Sequence, residues 1–414
     1  MLSRIRAKFK FLDKLGPGIV TGASDDDPSG IVTYSHAGTV FGLSTLWTAW
    51  FSFPLMASMQ EMCARIGLVT SSGLTGVLKR HYPAPVLYMA ILFSFPAITL
   101  NIGADIAGMG AVSNMLFPTI PSAIFSVIYT IVLLAFIIYL PYRRLARIMK
   151  WLCIALLAYI IVPFLTDQQW PDVLYRTLIP DFKWEKDYLF VLVGILGTTI
   201  SPYLFFWQTS MEVEEKQENG IVVDKQVLSE MRTDVDLGMF FSCTVMFFIM
   251  LATGTLLHGK LDRIDSVEQA AQALLPLAGR SAYLLFAIGI LGTGVLAIPV
   301  LAGSLSYITS ETFGWTEGLN KKFHEARGFY VVMVLSVLIA LLVNFLGISP
   351  IKILIYTAVL YGLTAPVMIA VILHICNNKA IMGENTNGRR SNILGMITLV
   401  VMSSAAIGLI WSLF

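Results

Sequence analysis

Thr21-Gly22-Ala23-Ser24-Asp25-Asp26-Asp27-Pro28-Ser29-Gly30 lies inside an apolar segment that runs from Leu15 to about Leu43. One acid at the centre of a spanning helix costs about 2.5–3.5 kcal/mol on insertion scales, so three in a row demand a use. Pro28 lacks a backbone donor and clashes with the preceding turn, so the helix is expected to break at Asp27. Gly22 and Gly30 let the backbone unwind on either side. A break at membrane depth survives only where it lines a cavity or is buried in protein. The stretch therefore predicts a carboxylate beside unwound carbonyls near the midplane, which is the chemistry of a cation site. The bland alternative is a short outer loop between two half-length segments. Arg4, Arg6, Lys8, Lys10 and Lys14 before the segment, and its uncharged Gly-rich continuation to Gly42, argue against that. Asp27 is the expected ligand. Asp25 and Asp26 divide evenly between pathway and solvated roles.

The rest of the chain supports a membrane setting. Of 414 residues, 56% are hydrophobic and 13% charged, and bilayer-length apolar runs recur throughout. The expected class is an all-α integral membrane protein. A net charge of +2, with no basic patch away from the membrane flanks, gives no footing for nucleic acid. Cys63, Cys153, Cys243 and Cys376 show no metal-ligand spacing and read as core residues without disulfides. The basic start lacks a short apolar core with a small-residue cleavage site, so no removable signal peptide is expected.

Hydropathy places eleven spans near 15–42, 44–69, 85–116, 121–141, 148–166, 187–211, 237–257, 281–311, 328–346, 350–376 and 393–413. A basic lead-in, 1–14, precedes them. With the N-terminus inside, 21 of the 28 Lys and Arg fall in inner segments and 7 in outer ones. This positive-inside bias predicts a cytoplasmic N-terminus and an extracellular C-terminus in the plasma membrane. The connections 167–186 (extracellular) and 258–280 read as partly helical. The inner segment 212–236, opening Glu212-Val213-Glu214-Glu215, reads as a solvated acidic loop. Residues 377–392 read as a flexible cytoplasmic linker, and 393–414 as an appended eleventh helix.

The sixth span carries Gly194-Ile195-Leu196-Gly197-Thr198-Thr199-Ile200-Ser201-Pro202-Tyr203, again Gly-rich before a proline at mid-span. Asp27-Pro28 and Ser201-Pro202 thus hold matching places in spans one and six. The halves 15–166 and 187–376 contain five spans each and begin on opposite sides. Paired interruptions in two inverted halves point to a midplane substrate site between them. Each proline could instead merely kink a packed helix, a role better suited to Pro54, Pro96, Pro163, Pro299 and Pro366.

The order of motifs resembles the Nramp family of divalent metal transporters over nearly the whole chain. Gly16-Pro17-Gly18 with Asp27-Pro28-Ser29-Gly30 is similar to the family's GPG lead-in and DPGN metal motif. Gln60, Arg65-Ile66-Gly67 and Thr70 resemble its second-span Q…RLG…TG. Ala104-Asp105-Ile106-Ala107 resembles TDLAE, and Thr198 to Tyr203 lie where the family has AxxMPHN. The resemblance implies a leucine-transporter-like fold of two inverted five-helix repeats with helices 1 and 6 broken, and a metal site at Asp27, Gly30, Thr198 and Ser201. Asp25, Asp26, Tyr203, Tyr361 and Asp105 are the candidate pathway residues.

Departures from the family pattern bear on the ion. Gly30 stands where the family has its metal-binding asparagine, Ser201 where it has methionine, Thr198 where it has alanine and Tyr203 where it has histidine. Gly108 replaces the third-span glutamate, and Tyr361 matches a tenth-span glutamine. This pattern resembles the divergent branch of Nramp-related magnesium transporters, which implies magnesium and manganese carriage without strong proton coupling. Donor chemistry agrees: thioethers suit softer metals, whereas carboxylate, carbonyl and water suit magnesium, calcium and manganese. Magnesium keeps several waters and is held through one or two carboxylates, and two small residues at the breaks leave room for them.

Three rivals follow. A proton-coupled manganese or iron importer needs a relay, for which Asp105, Glu61, His36 and His374 are the candidates. An amino-acid carrier would want helix N-termini free of acids at the site, which Asp25–Asp27 oppose. An intramembrane enzyme would pair Ser201 or Ser29 with a lysine or histidine, and no span offers that spacing. No bound cofactor and no catalytic residue are expected. The partners are the transported divalent cation and the bilayer.

Overall fold

Proline sets the two interruptions that organise the bundle. The computed structural model describes residues 16–139 and 158–413. Its longer helices are α1 (Pro17–Asp25), α2 (Pro28–Phe41), α3 (Trp47–Thr70), α4 (Leu74–His81), α5 (Ala84–Leu116), α6 (Ser122–Tyr139) and α7 (Trp170–Leu178). They continue as α8 (Lys186–Thr199), α9 (Pro202–Asn219), α10 (Lys225–Leu256), α11 (Ala282–Phe313), α12 (Arg327–Leu341), α13 (Pro350–Asn377) and α14 (Arg389–Trp411). The first span is broken at Asp26–Asp27 and the sixth at Ile200–Ser201, each with proline opening the second half-helix. Proline is accepted there because the first N–H of a helix has no intrahelical partner. Pro54, Pro96, Pro299 and Pro366 sit inside continuous helices instead.

Among the described residues there is no β-strand, and eight helical spans are long and apolar enough to cross a membrane, with α8–α9 taken as one. α2 and α3 pass the same test together and meet at 106° through the tight turn Gly42–Thr45. The lead-in 1–14 lies outside the described residues, as do Cys153 and all of the fifth expected span before Ala158. Cys63, Cys243 and Cys376 are buried free thiols.

Burial separates the centre of the bundle from its lipid face. The apolar window of α8–α9 is 94% buried, against 22% for α6 and 28% for α14. Ile124, Ile128 and Ile131 on α6, and Ile393, Val400 and Ile407 on α14, are exposed apolar side chains of the kind a bilayer solvates. The broken helices approach their neighbours through glycine. A Cβ on Gly22 would lie 2.2 Å from the Gly238 carbonyl oxygen, so α1 and α10 touch backbone to backbone. A Cβ on Gly197 would lie 2.1 Å from the Ala358 carbonyl oxygen, which seats α8 on α13 in the same way. α2 also packs on α10, and α9 on α3, one relation seen twice when the halves are exchanged.

Two connections differ from expectation. The acidic run 212–215 is not a solvated loop: α9 continues to Asn219, and Glu212 is 4% exposed. Gln208 donates to Glu212 at 2.9 Å, and Glu214 accepts from Tyr307 and from the Leu319 N–H. Hydropathy ended the span early because it cannot see such partners. Residues 377–392 are likewise tied down. Arg65 donates to the Asn385 carbonyl at 3.1 Å and to the Asn387 side chain at 2.5 Å, and a short helix spans Lys379–Met382.

Candidate cation site

The break between α1 and α2 is held by the acid that precedes the proline. Asp27 is the N-cap of α2: its Oδ1 accepts from the Gly30 N–H at 2.7 Å. An N-cap carboxylate is favoured there by the orphan amides and the positive end of the helix. Its Oδ2 accepts from Asn101 Nδ2 on α5 at 2.8 Å. Asn101 is itself oriented by Thr357 on α13, whose hydroxyl donates to Asn101 Oδ1 at 3.1 Å. Ser29 donates to the Leu354 carbonyl at 3.0 Å and fixes the start of α2 against α13. Asp27 is 2% exposed, so its orientation is set by three elements and its remaining lone pairs are shielded from bulk solvent.

The second break faces it. A Cβ on Gly30 would sit 3.2 Å from Thr198 Oγ1 and 3.4 Å from the Asp25 carbonyl oxygen. Gly30, Thr198 and the end of α1 therefore converge, so closely that even a methyl group at position 30 would crowd them. Ser201 is directed back into its own break: its hydroxyl donates to the Gly197 and Thr198 carbonyls at 2.9 and 2.8 Å. Its hydroxyl thus caps two carbonyls of the last turn of α8. All the groups named here offer oxygen. Among the described residues no three His, Cys, Asp or Glu side chains converge as a metal cluster, and Asp27 is the carboxylate fixed at this break.

The pathway candidates fall into separate places. Tyr203 donates to the Ser24 carbonyl at 3.1 Å and so caps the C-terminal end of α1. Its ring lies 5.7 Å from that of Tyr361, whose buried hydroxyl has no hydrogen-bond partner. Asp105 is fully buried and both its carboxylate oxygens are unpartnered. Asp25 and Asp26 turn to α10 instead, where Ser242 donates at 2.6 Å to Asp25 Oδ2 and stands 3.4 Å from Asp26 Oδ1. Gly108, where the resembled family has an acid, packs against Pro28 and Leu354.

Of the relay candidates, Glu61 is paired with Arg65 at 3.0 Å, and His374 Nδ1 is bonded to the Tyr82 hydroxyl at 2.6 Å. His36 Nδ1 has no partner. Sequence reading missed Asn101 and Thr357. A lone asparagine in an apolar span was the available signal, because such a group at membrane depth needs a partner.

The far end of α1 is closed by a latch. Asp234 on α10 accepts from the Gly16 and Gly18 N–H groups at 3.0 and 2.7 Å. Thr21 donates to Gln208 on α9, which continues to Glu212.

Comparison with known proteins agrees with this architecture. The family model described as Nramp, natural resistance-associated macrophage protein-like, matches residues 18–412. The divalent metal cation transporter MntH of Caldanaerobacter subterraneus subsp. tengcongensis is 24% identical over 395 residues, covering 94% of this chain and 90% of the relative. MntH of Mycobacterium tuberculosis is 23% identical over 406 residues, covering 96% and 91%. Among solved structures, the Eremococcus coleocola manganese transporter bound to an aromatic bis-isothiourea compound superposes with TM-score 0.76 at 18% identity, covering 97% of this chain and 88% of that one. MhsT in complex with L-phenylalanine superposes with TM-score 0.63 at 10% identity, covering 97% and 98%; these likenesses speak for the fold. With a family match that spans almost every described residue, this chain belongs to the Nramp family of membrane transporters.

Proposed function

We propose that the protein carries divalent cations of the magnesium and manganese class across the plasma membrane by alternating access, without stoichiometric proton coupling. The observation that carries this reading is the facing pair of breaks. One shielded carboxylate, Asp27, is fixed by the Gly30 N–H and Asn101, and at Gly30 the first break comes up against Thr198 of the second and the Asp25 carbonyl. Such a donor set suits hard cations that retain part of their water. The manganese and divalent-metal relatives support the substrate class, and Ser201 in the place of a thioether supports the harder end of it.

The mechanism follows from the packing. Asp27 and Thr198 bind the cation between the broken spans, with Asn101 fixing the carboxylate. α1, latched by Asp234 and by the Thr21–Gln208–Glu212 chain, closes the side we assign to the cytoplasm. Release of that latch lets α1 swing and opens the site inward. An inside-negative potential of 100 mV drives a divalent cation with about 4.6 kcal/mol, twice the value per charge, so influx has no need of a proton gradient. Tyr203 serves as a cap and Glu61 is neutralised by Arg65, which supports uncoupled transport. The test records manganese influx and internal pH together in proteoliposomes at fixed potential. Influx without matching acidification is expected; a metal-dependent proton influx that disappears in Asp27→Ala would establish coupling instead.

A further inference from the structure

Asp25 and Asp26 pose a problem that the Asp27 site does not solve. Both are buried, at 0% and 1% exposure, and Asp25 Oδ1 and Asp26 Oδ2 have no hydrogen-bond partner. Ser242 is the one donor they share, and among the described residues no basic side chain is paired with either. The hydroxyl of Tyr34 on α2 is fully buried and likewise unpartnered. A Cβ on Gly30 would stand 3.4 Å from both Tyr34 Cε2 and the Asp25 carbonyl oxygen, so the Tyr34 ring closes over the end of α1 that carries the acids. Taking each carboxylate out of water costs several kcal/mol, so a buried pair with one shared donor needs a further partner. Two carboxylates, two neutral hydroxyls and their unused lone pairs make an oxygen-donor set with a formal charge matching one divalent cation.

The geometry points to a second divalent-cation station, formed by Asp25, Asp26, Ser242 and Tyr34, beside the Asp27 site. The inference rests on the reading of Asp27 as the first site. The two stations use different walls: Asp27 is held by α5, whereas the acid pair is completed by α10. The second station is therefore split across the surface where Gly22 meets Gly238. It is complete only while α1 lies on α10, and the swing of α1 that opens the inner side also takes it apart. An ion lodged there is released by the gate motion itself.

The test counts manganese bound to the purified full chain by equilibrium dialysis, with Mn2+ as the only probe. The parent is expected to bind two ions per chain at saturation. Asp25→Asn with Asp26→Asn should bind one, and Asp27→Asn should also bind one. Ser242→Ala, a milder change, should weaken only one of the two affinities, by about tenfold or more. A parent that saturates at one ion, with the double variant unchanged in number and affinity, overturns the second station and assigns the acid pair to protons. If the double variant fails to fold, Ser242→Ala decides: two unchanged affinities overturn the station. Should Asp27→Asn lose no ion while the double variant loses one, the first-site reading fails and the second station stands.

Discussion

Asn101 donates to Asp27 across 2.8 Å, from the middle of α5 to the break in the first span. The bond determines what the carboxylate can do. With Oδ1 held by the Gly30 N–H and Oδ2 by Asn101, the carboxylate is fixed beside Gly30, where the second break approaches through Thr198. Asn101→Ala should therefore leave the fold intact and weaken manganese binding by roughly 10- to 100-fold, the usual cost of losing a group that orients a ligand. Equilibrium binding to purified protein checks this; an unchanged affinity would mean that Asn101 only fills space.

Gly30 tests the room left for water on the ion. A Cβ there would stand 3.2 Å from Thr198 Oγ1, so Gly30→Ala forces a shift of a few tenths of an ångström in the site. Magnesium influx should fall more than manganese influx, because magnesium sheds water the more reluctantly. Ser201→Met with Gly30→Asn should carry the ratio further toward manganese, through a softer donor. Measured magnesium-to-manganese flux ratios that stay at the parent value would detach selectivity from these two positions.

The latch at the start of α1 gives a conformational prediction. Asp234→Ala removes the acceptor of two N–H groups at a helix N-terminus, worth about 1 kcal/mol. That corresponds to roughly a fivefold larger population with α1 released. Ser24→Cys, buried in the parent fold, should then react several-fold faster with a water-soluble thiol reagent when Asp234→Ala is added. Equal rates would show that Asp234 does not hold the gate.

Much of this was legible in the chain because proline and consecutive acids in an apolar run have few physical excuses. The breaks at Asp26–Asp27 and Ile200–Ser201 stand where Pro28 and Pro202 put them. What stayed hidden depends on contacts distant in sequence. Asn101 meets Asp27 from 74 residues away, and Asp234 meets Gly16 from 218 away; neither leaves a local pattern. Glu212 was misread for the same reason, since a charge looks solvated until Gln208 is placed beside it. Asp25 and Asp26 face α10 and Asp27 faces α5, a difference that three adjacent identical letters cannot express.

The connection between α11 and α12 carries a pH-dependent element. Glu317 lines a cavity of about 290 Å³ with Glu214, Tyr307, Trp315 and Lys321. Burial, then the charges of Glu311 and Glu214, push its carboxyl up to about 9. The folded chain thus holds this proton more tightly than the unfolded chain, so the contribution to stability falls as pH rises from the ordinary carboxylate range toward 9. Glu317→Gln should remove that slope. Its Tm relative to the parent should rise between pH 5 and pH 9, and a constant difference in thermal melts across that range would contradict the assignment.

The central claim, that a divalent cation crosses the membrane by way of Asp27, is tested most directly by flux. Parent protein and Asp27→Ala are reconstituted in liposomes at equal amounts, and magnesium and manganese influx are recorded under an inside-negative potential. The account predicts that both ions enter through the parent and compete at comparable concentrations, and that Asp27→Ala passes neither while melting as the parent does. Influx through Asp27→Ala at the parent rate would contradict it and place the site elsewhere in the bundle.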